Sequence, residues 1–361
     1  MTAIPVFTLS RLHERVGDEL VKAVKDVVVR GQLVLGPETE AFEHELGDWY
    51  GVHAVSVASG TDALVATLLA CGVHPGSEVI VPGMTMAATA IAVREVGAHP
   101  VVVDVRPDDL LLDIAAALRA VTERTSAIIP VHLYGQVQDL ASLVESCRER
   151  RIAVIEDACQ SFGGKGIGRT VQGDAAATSF YPTKNLGGWG AGGAVLTARD
   201  DVVSYVRAWR HYGERVRYLS EFPGRNSRLD EIQCAILRRK LRVVEGLMTE
   251  RRALVARYMG AIPETVRIVG APRGDPADAL HLLAVRMPRR REVMERLGSM
   301  GIGTGIHYPV PVHQQPAVGG SCPFGAPEAE SASAELLTLP LFPGMRDDEV
   351  DTVGEGLGAR A

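Results

Sequence analysis

The sequence predicts an α/β fold in two parts: a large three-layer αβα domain around a mostly parallel sheet, then a smaller C-terminal α+β domain. Over the first two-thirds of the chain, short apolar runs alternate with helical patterns. This alternation favours right-handed crossovers and helices on both faces of the sheet. A long apolar pattern at helical spacing then leads out of the large domain. We place the large domain, with an N-terminal arm, at residues 1–245 and the small domain at 246–361.

Seven short runs are the predicted strands of the large domain. Such runs, largely apolar and separated by helical patterns, are typical of strands buried on both faces of a parallel sheet. In chain order they occupy residues 54–58, 78–81, 99–103, 126–131, 152–155, 176–180 and 193–197.

The long helix is predicted to follow Asn226-Ser227-Arg228, a suitable cap region, with apolar residues at helical spacing from Leu229 to Leu247. Two shorter helices are predicted in the small domain, at residues 289–300 and 329–337. Between them, residues 301–325 are rich in Gly and Pro, so we expect a structured loop that contacts the functional site.

Composition limits the class of protein. A net charge of -6 gives no support to a nucleic-acid binder, which normally presents a basic face. The five cysteines form no CxxC pair, which favours reduced thiols in a cytoplasmic protein. The longest apolar run, 81–93, is too short for a membrane span, and no secretion signal is evident. The ten histidines show no paired-ligand spacing, so we expect no metal.

Lys184 is the first candidate for catalysis. It is one of only five lysines, whereas the total of 38 Lys plus Arg leaves 33 arginines. It lies in an uncharged, Gly-flanked run at 179–188. An amine can lose its proton and attack a carbonyl, but a guanidinium cannot. The alternative is that Lys184 is an ordinary surface lysine.

Asp157 follows the predicted strand 152–155, and the carboxyl ends of strands in open α/β sheets face the ligand. An aspartate there and a lysine after the next strand are what a pyridoxal 5′-phosphate site needs. The lysine bonds to the cofactor, and the carboxylate keeps the pyridine nitrogen protonated. The alternative is that Asp157 only caps a turn.

Ser59-Gly60-Thr61 lies between the strand 54–58 and a helical pattern. Glycine allows close backbone approach, and the free N–H groups at a helix N-terminus suit a phosphate. Ser179 could supply a further hydroxyl. The alternative is a plain helix N-cap without a ligand.

Seven motifs in one order cover nearly the whole chain: GQLVLGPE (31–38), VASGTDAL (57–64), VHLYGQ (131–136), IEDACQ (155–160), SFYPTKNLG (179–187), GRNSRLDEIQ (224–233) and HYPVPVHQQPA (307–317). Together they resemble the DegT/DnrJ/EryC1/StrS family of sugar aminotransferases, which depend on pyridoxal 5′-phosphate and have the aspartate-aminotransferase fold, type I. The motifs look most like those of members that aminate C-3 of a nucleotide sugar.

The resemblance implies a role for each cofactor residue. Lys184 would carry the cofactor, Asp157 would pair with the ring nitrogen, and Gln160 would bind the ring hydroxyl. The phosphate ligands within the chain would be Gly60, Thr61 and Ser179.

Asn226 would reach the phosphate of the neighbouring subunit, which implies a homodimer with shared active sites. Two positions depart from the family pattern: Met86 stands where an aromatic ring usually stacks on the cofactor, and Ala191 replaces an acid. A thioether offers less contact area to the ring than an aromatic side chain does. The candidate substrate-binding residues are Tyr181, Arg228, His307 and Tyr308.

The implied reaction is a two-stage transamination in deoxyamino sugar and antibiotic biosynthesis. L-glutamate leaves as 2-oxoglutarate with pyridoxamine phosphate as the intermediate cofactor form, and the amine then passes to a keto sugar, a dTDP-3-keto-6-deoxyhexose. The same machinery would serve a C-4 keto sugar or a keto-cyclitol. A non-catalytic partner subunit is a further alternative. A dehydratase or deoxygenase is disfavoured because Lys184 is present and no cysteine cluster is found.

Overall fold

The computed structural model describes residues 3–270 and 276–358. Its centre is a seven-stranded sheet with the order β1-β7-β6-β5-β4-β2-β3. Strand β7 runs antiparallel to β1 and β6, and the other neighbouring pairs are parallel. The predicted α/β fold with a mostly parallel sheet is therefore confirmed. The strands are β1 (His53–Val57), β2 (Glu78–Pro82), β3 (His99–Val103), β4 (Thr125–Ile128), β5 (Ala153–Asp157), β6 (Ala175–Ser179) and β7 (Gly193–Thr197).

All seven predicted strands are present, and the largest difference in bounds is at the end of β4. Strand β4 ends at Ile128, although the sequence predicted a strand to Val131. Pro130 has no N–H group and cannot continue the ladder of hydrogen bonds. Val131 instead forms an isolated bridge with Asp157, and this bridge draws the following segment towards the carboxyl end of β5.

Helices surround the sheet and continue into the C-terminal part. The sequence predicted the N-terminal region only as an arm, whereas it contains two helices of 21 and 14 residues. The helices are α1 (Ser10–Arg30), α2 (Pro37–Tyr50), α3 (Gly60–Ala70), α4 (Ala88–Glu95), α5 (Ile114–Arg119), α6 (Ala141–Arg150), α7 (Asp200–Trp209), α8 (Glu231–Ala261), α9 (Arg290–Ser299), α10 (Pro327–Glu335) and α11 (Asp347–Gly358).

Two smaller sheets accompany the central one. Strands β8 (Glu214–Val216) and β9 (Leu219–Ser220) form a hairpin, and β10 (Arg267–Ile268), β11 (Leu283–Arg286) and β12 (Leu336–Leu339) form an antiparallel sheet. The predicted helix 329–337 was too long, because α10 ends at Glu335 and β12 begins at once. All four residues of β12 are buried, and periodicity alone does not separate such a short apolar run from a helix end.

Helix α8 connects the two parts of the chain. Near its start, Cys234 and Leu237 pack in the core beside the central sheet. Further along, Leu254 and Tyr258 pack in the core of the three-stranded sheet. The predicted domain boundary at 245/246 lies inside this helix and stays a prediction.

Within residues 3–270 and 276–358, no helix has the length and apolar composition to cross a membrane. The same part of the chain contains no group of three His, Cys, Asp or Glu side chains that could hold a metal ion.

Candidate active site

A cavity of about 480 Å³ lies at the carboxyl ends of β5 and β6, beside the N-terminus of α3. It brings together all of the sequence-predicted site residues except Asn226 and Arg228. The predicted residues that line it are Gly60, Thr61, Met86, Asp157, Gln160, Ser179, Tyr181, Lys184, His307 and Tyr308.

Asp157 is the last residue of β5, and its side chain is held in place by hydrogen bonds. Thr89 Oγ1 donates to Asp157 Oδ2 at 2.8 Å, and the amide of Cys159 donates to Oδ1 at 3.2 Å. The hydroxyls of Thr85 and Thr89 are 3.0 Å apart. Asp157 is only 6% exposed, so an anionic carboxylate is presented to the cavity in one fixed orientation. This suits a partner for a protonated ring nitrogen.

Lys184 lies in a tight turn after β6, residues 181–188, which we call the Lys184 turn. The amide of Lys184 donates to Tyr181 O, and the amide of Gly188 donates to Phe180 O, both at 2.8 Å. Burial lowers the pKa of Lys184, and the neighbouring Cys159 and Asp157 oppose that effect in part. A lowered pKa increases the neutral amine fraction at neutral pH, and the neutral amine is the nucleophile.

The N-terminus of α3 forms a narrow cradle at one end of the cavity. Ser59 accepts a hydrogen bond from the Asp62 amide at 3.0 Å and is therefore the N-cap of α3, as the alternative interpretation of this segment predicted. The first amides of a helix have no intrahelical acceptor and suit an anion. A Cβ on Gly60 would lie 2.8 Å from Ser179 Cβ and 3.0 Å from Cys159 Sγ. Only glycine allows this close approach of the helix to β6.

Gln160 and Tyr308 meet on another side of the cavity. Gln160 Oε1 accepts from the Tyr134 amide at 2.7 Å, and its Nε2 donates to the Tyr308 hydroxyl at 3.3 Å. Tyr134 in turn donates its hydroxyl hydrogen to the carbonyl of His307. Burial raises the pKa of Tyr308 and lowers that of His307, so both are neutral at neutral pH. The loop 301–325 therefore contacts the site as expected.

Several residues of the cavity were missed from the sequence. Thr85 belongs to no pattern that indicated the site, and Thr183 was not singled out although it lies in the motif 179–187. Thr89, which orients Asp157, also belongs to no such pattern. His281, which lies just before β11, also lines the cavity. Burial lowers the pKa of His281 well below its usual value. No sequence signal marks the remaining wall, because its residues are brought together from distant segments: Val6, Phe7, Leu282, Leu339 and Leu341.

The outer side of the cavity is open. Met86 is 53% exposed and Tyr181 is 56% exposed. Asn226 lies outside the cavity, exposed, with its backbone bridged to His211. Arg228 donates to His211 Nδ1 at 2.7 Å and does not reach the cavity of its own chain. A role for Asn226 or Arg228 in a neighbouring subunit's site stays a prediction.

Comparison with known proteins gives the family directly. Residues 14–358 match the DegT/DnrJ/EryC1/StrS aminotransferase family. The chain belongs to this family. The predicted family, aminotransferase class and pyridoxal 5′-phosphate cofactor are thereby confirmed. The amine of Lys184, the fixed carboxylate of Asp157 and the cradle at Gly60 fit that cofactor.

Two curated relatives and one solved structure serve as points of reference. A dTDP-3-amino-3,4,6-trideoxy-alpha-D-glucose transaminase of Streptomyces venezuelae is 41% identical over 94% of this chain and 91% of its own. A UDP-2-acetamido-2-deoxy-3-oxo-D-glucuronate aminotransferase of Pseudomonas aeruginosa is 37% identical over 94% and 95%. The crystal structure of S. venezuelae DesV with a ketimine intermediate superposes with a TM-score of 0.94 at 38% identity, covering 99% of this chain and 98% of that one.

Proposed function

We propose that this protein transfers the amino group of L-glutamate to C-3 of a keto sugar, a nucleoside-diphosphate deoxyhexose, and works as a cytoplasmic homodimer with shared active sites. The observation that carries the proposal is the cavity in which a partly buried amine, Lys184, and a fixed carboxylate, Asp157, meet beside the cradle of α3. The homodimer is supported by the exposed outer side of that cavity.

The names of the relatives support C-3 as the position of amination. The names of the S. venezuelae and P. aeruginosa enzymes refer to sugars linked to different nucleotides, dTDP and UDP. Both names nevertheless place the amino or oxo group at position 3. The higher identity and the TM-score of 0.94 favour the dTDP-linked sugar for this chain. C-4 of a keto sugar and a keto-cyclitol are the alternatives.

Pyridoxal 5′-phosphate, when bound, supplies the electron sink that stabilises negative charge at the carbon losing its proton. Lys184 would hold it covalently, Asp157 would face the ring nitrogen, and Gly60, Thr61 and Ser179 would surround the phosphate. Asp157 is kept in position for this by Thr89 and by the amide of Cys159.

Lys184 Nζ performs the proton transfers. Because burial lowers the pKa of Lys184, its amine would be available as a general base whenever it is not bonded to the cofactor. It would then remove the proton from Cα of glutamate. With the keto sugar bound, the same nitrogen moves a proton in the reverse direction. One residue thus serves as covalent anchor and as acid and base.

The test uses the cofactor's own colour. The purified holoenzyme is expected to be yellow and to bleach on addition of L-glutamate. Among keto compounds added next, a dTDP-3-keto-6-deoxyhexose should restore the colour and yield an amino sugar. Restoration only by a 4-keto sugar or a keto-cyclitol would overturn the regiochemistry. A protein that never bleaches would instead be a non-catalytic partner subunit, an alternative prompted by Met86 and Ala191.

Borohydride reduction locates the covalent link independently of turnover. Peptide mapping should place the reduced cofactor on Lys184. An adduct on any other lysine would contradict the assignment: Lys22, Lys25, Lys165 or Lys240.

A further inference from the structure

A second lysine lies buried behind the Lys184 turn. Lys240, on α8, is 3% exposed, and its Nζ donates to the carbonyl oxygen of Gly187 at 2.7 Å. No other acceptor for Nζ occurs among the described residues. Burial lowers the pKa of Lys240 to about 8. An ammonium group buried with a single acceptor costs folding free energy, so packing alone does not explain a lysine at this position.

The acceptor belongs to the turn that carries the catalytic lysine. Gly187 lies three residues after Lys184, and a Cβ on Gly187 would come within 2.3 Å of Pro182 O. The turn is therefore closed tightly on itself, and its ends are joined by the hydrogen bond from Gly188 N to Phe180 O. If the Gly187 carbonyl shifts, the neighbouring residues of the turn must shift with it, because their backbone atoms are already in contact. It would move Lys184 as well.

Helix α8 also contacts the chain on either side of this point. Gln233 Oε1 accepts from the amide of Trp189 at 2.8 Å, and Met248 Sδ lies 3.6 Å from Asn185 Nδ2. Residues 233, 240 and 248 are spaced by seven and eight positions, which places them on one face of a helix. Of these three contacts, the one from Lys240 involves a charged group, and it lies between the other two along the helix.

We propose that Lys240 is a positioning residue for Lys184: its ammonium group holds the Gly187 carbonyl and so fixes the direction of the Lys184 side chain relative to Asp157. The inference rests on the proposed function of Lys184 as the cofactor lysine. His13 is a titratable group whose pKa responds to the charge of Lys240. Burial and the charge of Lys240 lower the pKa of His13, and its Nε2 accepts from Trp189 Nε1 at 3.0 Å. Because Nε2 already accepts from Trp189 and Nδ1 of the neutral ring carries the hydrogen, His13 offers no acceptor to the ammonium.

The decisive variant is Lys240→Met, which keeps the length of the side chain and removes the donor. We expect kcat to fall roughly tenfold or more, since small displacements of a reacting group are costly in rate, with little change in KM for glutamate. The pH titration of the visible absorbance band should shift, because the environment of the Lys184 linkage has changed. The thermal unfolding temperature should change little, because removal of a buried charge offsets the cost of leaving the buried Gly187 carbonyl without its donor.

Two further variants complete the experiment. Lys240→Gln retains a neutral donor and should recover part of the lost kcat. Lys165→Met is the matched control, since Lys165 contacts Glu245 of α8 at 4.0 Å, is half exposed and does not touch the Lys184 turn. It should leave kcat, the titration and the unfolding temperature unchanged.

Normal kcat and an unshifted titration in Lys240→Met would overturn the inference. A fall in kcat that accompanies an equal loss of folded protein would overturn it too, because Lys240 would then be structural. If the Met variant does not fold, the Gln variant decides in the same way. Borohydride mapping on the unchanged protein separates the two proposals: an adduct away from Lys184 defeats the proposed function, whereas an adduct on Lys184 leaves only Lys240 in question.

Discussion

The inner and outer halves of the cavity are built differently. In the inner half, Asp157 and Gln160 are buried, and each has hydrogen-bond partners within the chain. In the outer half, Met86 and Tyr181 are more than half exposed, and Asn226, on the surface outside the cavity, is exposed as well. The inner half is complete in one chain. The outer half has the exposure expected of a surface that a neighbouring subunit covers.

This difference separates two kinds of requirement. Buried polar groups must be satisfied by the fold itself, because leaving one unpaired costs about 1–3 kcal/mol. Exposed groups such as Met86 and Asn226 need no hydrogen-bond partner from their own chain. The fold therefore tolerates substitution there, and only a neighbouring subunit or a ligand restricts which residues are suitable. We therefore expect inner-half changes to act within a subunit and outer-half changes to act between subunits.

The largest effect is expected from a pair of variants, one from each half. Lys184→Ala should abolish turnover, a loss of at least about a thousandfold, because the amine is both anchor and acid–base group. Asn226→Asp should repel the phosphate of the partner's site and inactivate that site. Subunit exchange between the two inactive homodimers should regenerate activity, because each mixed dimer contains one intact site. If tagged subunits exchange and no activity returns, Asn226 does not act between subunits.

A large loss is also expected from Asp157→Asn, which keeps the shape and removes the charge of the inner half. Each pKa unit lost by the ring nitrogen corresponds to about 1.4 kcal/mol, or a factor of about ten, so a loss of about two units should lower kcat about a hundredfold while some cofactor is retained. Rapid kinetics together with cofactor content measure the two effects separately. Near-normal kcat would show that Asp157 does not pair with the ring nitrogen.

A smaller effect is expected from Thr89→Val, which removes the hydroxyl that donates to Asp157 Oδ2. A hydrogen bond to a charged group contributes about 1.5–3 kcal/mol, so a loss of about tenfold in kcat is expected. Thr85→Val is the control, because its hydroxyl contacts that of Thr89 and not Asp157. Equal losses in the two variants would mean that Thr89 acts through packing and not through the carboxylate.

The smallest effect is expected from Met86→Phe in the outer half. An aromatic contact adds about 0.5–1.5 kcal/mol beyond its buried area, so cofactor affinity should stay equal or rise by up to about tenfold. Equilibrium titration of the apoprotein measures it. A sharp loss of affinity with the fold intact would mean that Met86 packs elsewhere, or that the pocket has been reshaped around it.

The sequence predicted the inner half better than the outer half for a physical reason. Asp157 is the last residue of β5 and Lys184 follows β6, so the parallel arrangement of these two strands brings them to the same edge of the sheet. The family, the fold and the enzyme class were predicted correctly from motifs of this kind. Thr89 was not predicted because no local sequence pattern indicates it. Its role arises only when α4 packs beside the end of β5.

The apolar wall and the small domain were harder to predict. Phe7 and Leu341 are separated by most of the chain, and the wall forms only because the N-terminal segment lies along the three-stranded sheet, with Leu341 N donating to Val6 O at 3.4 Å. Strand β12 was predicted as the end of a helix because a short buried run has no clear period. Long-range packing, and not local preference, determines both.

Helix α8 determines how the protein unfolds. Its 31 residues extend about 46 Å, and its two ends are buried in the cores on either side of the predicted boundary at 245/246. Neither core can open without exposing apolar side chains of the same helix. Unfolding should therefore be a single cooperative transition, and amide protons near the middle of α8 should exchange with solvent only when the whole chain unfolds.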